Sequence, residues 1–178
     1  MSHAEDTELH ARSIDASALR RVCAHFATGV TVITTGENGD SAGATVNSFT
    51  SVSLDPPLVL FCLHLRSRLR PVVRRSSGFV VNFLTRRQER LASTFAGRES
   101  ARIQDVAHYR SGGGLPILSE ALAFLACGLR AEYEGGDHTI FLGEVLELGV
   151  PGRHEDPLIF YRGAMRALDY EQRDIYPH

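Results

Sequence analysis

The chain has no lysine: all 19 of its basic residues are arginines. A site that grips phosphate with several lysines is therefore excluded. Cysteine is also scarce, with Cys23, Cys62 and Cys127 the only three in 178 residues. The count is odd, no Cys-x-x-Cys pair occurs, and so neither a zinc site nor a dithiol redox centre has support. Each thiol lies in an apolar context, which predicts three buried free thiols in a reducing cytoplasm. No apolar run is long enough to span a bilayer. Met1 to Ser13 lacks the apolar centre of a secretory signal and reads as a mobile arm. A formal charge of −2 gives no electrostatic reason to expect nucleic acid or an anionic membrane as partner. The eight histidines include no His-x-x-x-His pair, so metal catalysis is not expected.

Familiar catalytic and cofactor loops are missing too. Gly112-Gly113-Gly114 neither follows an expected strand nor opens a βαβ unit, so it is not a dinucleotide-binding loop. There is no Gly-x-x-x-x-Gly-Lys-Ser/Thr phosphate loop and no Gly-x-Ser-x-Gly nucleophile elbow.

What remains is the balance of one soluble globular domain, with 43% hydrophobic and 22% charged residues. We expect that domain over residues 14–170, with 171–178 as a tail. Asp15 or Ser17 can cap a helix carrying Leu19, Val22, Cys23 and Phe26 on one stripe, ended by Gly29. Val30 to Thr35 then switches to β-branched strand chemistry, and residues 36–40 form a hairpin turn. Leu58 to Leu63, Phe79 to Leu84, Phe124 to Tyr133, Thr139 to Leu148 and Leu158 to Arg162 read as further strands. Pro71 can open a short helix to Ser76. Thr85-Arg86-Arg87-Gln88 fits a capping box for a helix carrying Leu91 and Phe95. Arg98 to Gly114 is expected as a long loop. Six or so strands, three short helices and no β-α alternation predict a mainly β, antiparallel barrel with helical caps.

The segment Gly43 to Leu58 stands out, because hydroxyl and amide side chains crowd a strand-like stretch that stops at Pro56-Pro57. Thr45, Asn47, Ser48, Ser51 and Ser53 can offer donors to phosphate and ribityl groups, or can simply keep an edge strand polar. Arg66-Ser67-Arg68 at a strand end fits a phosphate clamp as well as a solvated charge cluster. Arg74-Arg75 and Arg86-Arg87 are expected as solvated helix faces. His138, in Gly135-Gly136-Asp137-His138-Thr139, can contact a ring ligand or stand as an ordinary turn histidine.

Five segments in order resemble the short-chain flavin reductases, the NAD(P)H:flavin oxidoreductases that serve two-component flavin monooxygenases. They are Phe26 to Thr35, Ala44 to Val59, Gly78 to Leu84, Gly136 to Ile140 and Pro157 to Gly163. The resemblance runs from about Leu19 to Leu168. It implies a Greek-key, FMN-binding split barrel acting as a homodimer, with FMN or FAD held near the subunit interface and reduced by NADH or NADPH. It also implies a separate monooxygenase as the taker of reduced flavin. Carried over, Thr28 and Val30 would lie by the isoalloxazine, and Thr45, Val46, Asn47 and Ser48 would hold ring and ribityl chain. Ser51, Val52, Ser53, Ser67 and Arg68 would serve the phosphate side, and Phe95 would close over the ligand. His138, with Tyr161 and Arg162, would meet the nicotinamide. Ala44 stands where methionine is frequent, and Leu69 replaces a common hydroxyl residue. Hydride transfer asks the protein only to hold two rings about 3–3.5 Å apart and exclude water, which agrees with the missing triad. A flavin-binding barrel without reductase activity and a pyridoxamine phosphate oxidase relative are the alternatives, the latter weakened by the missing lysines.

Overall fold

The computed structural model describes residues 14–37, 39–97, 102–151 and 155–168. The expected arm at 1–13 and tail at 171–178 lie outside them. In chain order the elements are α1 (Ala16–Cys23), β1 (Thr28–Gly29), β2 (Thr31–Thr35), β3 (Ala42–Val46), β4 (Thr50–Leu54), β5 (Pro57–His64), α2 (Leu69–Ser76) and β6 (Gly78–Phe83). There follow α3 (Glu89–Ala96), β7 (His108–Arg110), β8 (Pro116–Leu118), β9 (Ala123–Gly135), β10 (His138–Gly149), β11 (Leu158–Tyr161) and β12 (Ala164–Ala167). Short 3-10 turns lie at Arg86–Gln88 and Ile103–Asp105.

Seven strands form one antiparallel sheet in the order β3-β2-β6-β9-β10-β5-β4. Its two edge strands, β3 and β4, are consecutive in sequence and joined only by Asn47 to Phe49. Laid flat, a seven-stranded sheet would separate its edges by about 29 Å, at ~4.8 Å per strand. The chain from Val46 to Thr50 reaches at most about 14 Å. The sheet must therefore roll into a barrel. Ser48 fastens the seam: its Oγ accepts the Cys62 N–H at 2.9 Å and donates to the Cys62 carbonyl at 3.2 Å. A side chain thus replaces a ladder rung where the two edges meet.

The alternation of β2, β5, β6 and β10 sends Ile33, Phe61, Phe79, Val81 and Phe141 into the barrel, where Leu69 and Val73 of α2 plug one end. Phe61 stacks on Phe141 at 5.2 Å and meets Phe79 edge-on at 4.7 Å. A second core forms outside the barrel wall, from Val30, Val32, Leu84, Ala92, Phe95, Ile103, Leu118 and Leu158. With apolar groups packed on both faces, β2 and most of β6 are buried throughout, which explains their runs of β-branched residues. Asn82 is the one amide among them. Its amide donates to the Val32 carbonyl and to Thr34 Oγ1, and its oxygen accepts the Leu118 N–H, so the buried groups are satisfied.

Several expectations need correction. Asp15 does cap α1, with Oδ1 accepting the Ala18 N–H at 2.7 Å, a bond that holds its carboxyl below the ordinary range. The helix stops at Cys23, however, not near Gly29, because the His25 and Phe26 N–H groups take tighter bonds to Val22 and Cys23. Thr28 and Gly29 pair instead with β11. The hydroxyl-rich segment is two edge strands, β3 and β4, brought together where the barrel closes, not one strand-like stretch. Within the expected loop at 98–114 lie a 3-10 turn and β7, which pairs with β8 just beyond it; 98–101 lie outside the described residues. Twelve strand segments, not six, occur among the described residues. Cys127 is buried as expected and burial pushes its thiol up to about 12, but Cys62 is only partly buried and Cys23 is exposed. The expected arginine faces carry ion pairs, Arg74 with Glu132 and Arg75 with Asp40 (both 2.6 Å) and Arg87 with Glu155 (3.4 Å).

Candidate active site

A cleft of about 660 Å³ opens where α1, the 47–50 link and the β11–β12 turn converge. Phe26, Phe49 and Phe160 supply aromatic walls, Arg20 and Cys23 come from α1, and Thr28, Asn47 and Ser48 add polar groups. A smaller extension of about 140 Å³ shares Asn47 and Phe160 and is bounded by Val30, Thr45, Val46, Ala96 and Met165. Two of the cleft's hydroxyls already serve the fold. Ser48 closes the barrel seam, and Thr45 Oγ1 donates to the Ala92 carbonyl at 2.7 Å, tying α3 to β3. Thr28 differs: its Oγ1 is buried and has no partner. A buried hydroxyl without a partner costs about 1–3 kcal/mol, so the position awaits a hydrogen-bonding group.

A second polar cluster sits where β5 ends beside the β9–β10 hairpin. Gly136, at φ +66°, makes the tight turn with Asp137, and β10 begins at His138. His138 stands opposite His64 in the register, their rings 5.3 Å apart and edge-to-face. Asp137 Oδ1 is 2.7 Å from His138 Nδ1, and its Oδ2 is 3.9 Å from His64 Nε2. The hydrogen bond from His138, with the nearby imidazoles, holds the Asp137 carboxyl below its ordinary range. Strand β5 links cluster and cleft: Cys62 binds Ser48, and His64 lies two residues further on, about 7 Å along the strand. Among the described residues no group of three or more His, Cys, Asp or Glu could hold a metal ion. Likewise, no helix of the described residues is long and apolar enough to cross a membrane.

An aromatic slot with few charges, beside a glycine-turn histidine, suits a planar redox ring rather than acid–base hydrolysis. Comparison with known proteins agrees: residues 23–169 match the flavin reductase like domain family. The chain belongs to that family.

Among curated flavin reductase relatives, the reductase subunit HsaB of a flavin-dependent monooxygenase from Rhodococcus jostii is 38% identical, over 92% of this chain and 84% of that protein. An NADH-dependent flavin reductase from a Rhodococcus species is 39% identical over 88% of each chain. Among solved structures, the NADH:FAD oxidoreductase SgcE6 of Streptomyces globisporus, in complex with NAD and FAD fragments, superposes with a TM-score of 0.80. It shares 36% identity and covers 93% of this chain and all of the other.

The expected flavin reductase site residues fall into groups. Thr28, Val30, Thr45, Val46, Asn47 and Ser48 come together in the cleft and its extension. Tyr161 and Arg162 form the adjacent turn, whose Arg162 N–H donates to the Ala24 carbonyl at 2.9 Å. His138, Ser67 and Arg68 gather instead at the far end of β5. There the Ser67 hydroxyl accepts the Leu69 N–H at 3.3 Å, at the start of α2, and Arg68 is exposed. Ser51, Val52 and Ser53 lie along the open edge of β4. Phe95 is buried in the second core against Gly43, and its neighbour Ala96 is the α3 residue that reaches the cleft extension. Sequence reasoning missed the Phe49 and Phe160 walls, the position of Cys23, and His64. Only strand register brings His64 to His138, and no local motif signals it.

Proposed function

We propose that this chain is an NADH-dependent flavin reductase, taking a hydride from NADH onto FMN or FAD and releasing reduced flavin to a separate monooxygenase. The cleft carries this reading: aromatic walls for a flat ring, with the unpartnered Thr28 hydroxyl and the Asn47 amide placed for polar ring edges. The groups present fit a flavin, which when bound supplies the two-electron acceptor. Thr28, Val30 and residues 45–48 would hold ring and ribityl chain, while Ser67 and Arg68 would serve the phosphate; Ser51 to Ser53 pair with Leu58 and Val59 at the opposite end of β5 and would not reach the same group. His138, Tyr161 and Arg162 would orient the nicotinamide. Cleft and histidine cluster lie at neighbouring points on β5, which favours a shared reaction zone.

Relatives named as an NADH-dependent FAD reductase and an NADH-dependent FMN reductase support both flavins as substrates. Relatives named as reductase components of monooxygenases support the oxygenase partner. We place the protein in the cytoplasm, where NADH is supplied. A homodimer is favoured by α1 and the turn after it, which leave Leu19, Val22 and Phe26 at 54%, 57% and 77% exposure beside the cleft. NADH oxidation under each flavin in turn tests the reading: strict dependence on added flavin is expected, and its absence leaves only a flavin-binding barrel. Flavin should also be lost on dialysis, and stoichiometric retention would contradict release to a partner.

A further inference from the structure

Asp137 faces two imidazoles, and the proposed function uses only one. The proton positions on both follow from their partners. His64 Nδ1 lies 3.0 Å from the Arg66 backbone N–H, which can only donate. The neutral His64 ring therefore carries its proton on Nε2, the nitrogen that faces Asp137 Oδ2 at 3.9 Å. His138 Nδ1 meets Asp137 Oδ1 at 2.7 Å, and an ionised carboxylate can only accept. Neutral His138 therefore carries its proton on Nδ1, leaving Nε2 bare as an acceptor. The hairpin is latched to β5 as well, because the Leu65 N–H donates to the Asp137 carbonyl at 2.9 Å.

We infer that His64 is a positioning residue for nicotinamide recognition. An exposed carboxylate has several open orientations, and a single hydrogen bond to His138 leaves the second oxygen free to turn to water. The His64 N–H faces that second oxygen at 3.9 Å, close enough for electrostatic attraction though not for a hydrogen bond, and its ring packs edge-to-face on His138, so the carboxylate sits between both rings. Placed in this way, Asp137 keeps the His138 proton on Nδ1 and presents Nε2 to a hydrogen-bond donor, such as the carboxamide N–H of a nicotinamide. The inference rests on the reading of His138 given above, and it assigns His64 no contact with the reacting atoms.

The test uses the full-length protein and two variants, His64→Leu and His64→Gln, the second keeping an N–H donor. Imidazole 15N spectra at alkaline pH report which His138 nitrogen is protonated, and steady-state kinetics report KM and kcat for NADH. Wild type should show a protonated Nδ1 and a bare Nε2. His64→Leu should show a mixture of tautomers at His138, with KM for NADH raised about fivefold and kcat within about twofold, the scale of one misaligned hydrogen bond. His64→Gln should restore both. An unchanged His138 tautomer in His64→Leu overturns the inference, as does failure of His64→Gln, folded by circular dichroism, to restore it. A tautomer shift without any change in KM upholds the positioning and overturns the nicotinamide reading of His138.

Discussion

Replacing Ser48 by alanine separates two roles that the sequence leaves merged, ligand contact and barrel closure. The hydroxyl has one proton and two lone pairs. The proton goes to the Cys62 carbonyl and one lone pair takes the Cys62 N–H, so a single acceptor position remains for any ligand. Ser48→Ala removes both bonds and strands two partly buried backbone groups at the seam. At a net 0.5–1.5 kcal/mol per hydrogen bond the loss should be about 2 kcal/mol. For a domain of this size each kcal/mol moves Tm by roughly 2–4 °C, so a drop of about 4–8 °C is expected. KM for flavin should change by less than about threefold, since the hydroxyl's donor is already engaged. Calorimetry at fixed protein concentration, so that self-association does not shift Tm, and flavin titration of NADH oxidation measure the two effects. A Tm within about 1 °C of wild type together with a tenfold rise in KM would refute the seam role and return Ser48 to the ligand.

Thr28→Val is expected to do the opposite: Tm should hold or rise because an unpartnered buried hydroxyl is lost, while KM for flavin rises about tenfold. An unchanged KM would remove Thr28 from the site. Gly143→Ala should lower Tm by about 5–10 °C, because a Cβ there would overlap the Phe79 ring, which Phe61 blocks from moving away. Burial pushes the Cys127 thiol up to about 12 in the folded chain, against 9.0 for a solvated thiol. Its contribution is therefore complete below pH 9 and is lost as pH rises from 9 to 12, by at most about 1.4 kcal/mol per pH unit. Denaturation of wild type and Cys127→Ala at pH 8 and 11 checks this, with a stability difference that does not shrink at the higher pH as the contrary result.

Local chemistry made the long hairpin legible: Phe124 to Tyr133 and Thr139 to Leu148 carry enough β-branched and apolar residues to be read alone, and β9 and β10 merely extend them. The capping box was legible for the same reason, and Gln88 Oε1 accepts the Thr85 N–H at 3.0 Å. Elements that exist only through long-range pairing were not. Thr28 and Gly29 form a strand because β11 lies opposite, and β7 and β8 because they face each other. The helical stripe of Leu19, Val22, Cys23 and Phe26 was periodic, but periodicity does not say whether the apolar face packs on its own chain, and here it stays open. At the site, composition singled out Thr45, Asn47 and Ser48, and the resemblance added Val46 and Thr28; all five line the cleft or its extension. It could not show which of their hydroxyls face inward to the backbone.

That last distinction bears on how tightly a flavin would be held. A count of side chains between Thr45 and Ser53 suggests a dense polar grip. The structure divides it: Thr45 binds the Ala92 carbonyl, Ser48 binds Cys62, and Ser51 and Ser53 follow β4 along the opposite edge of the sheet. What faces the cleft is mainly aromatic and aliphatic surface, with Thr28, Asn47, Thr50 and a single cation, Arg20, as its further polar groups. Affinity would then come from ring burial, which is not directional, rather than from a cage of charge-assisted bonds. On that reading such a site would distinguish oxidised from reduced rings weakly and release both. On the proposed reading, the use of hydroxyls to close the barrel is the reason the cleft would bind flavin as an exchangeable substrate.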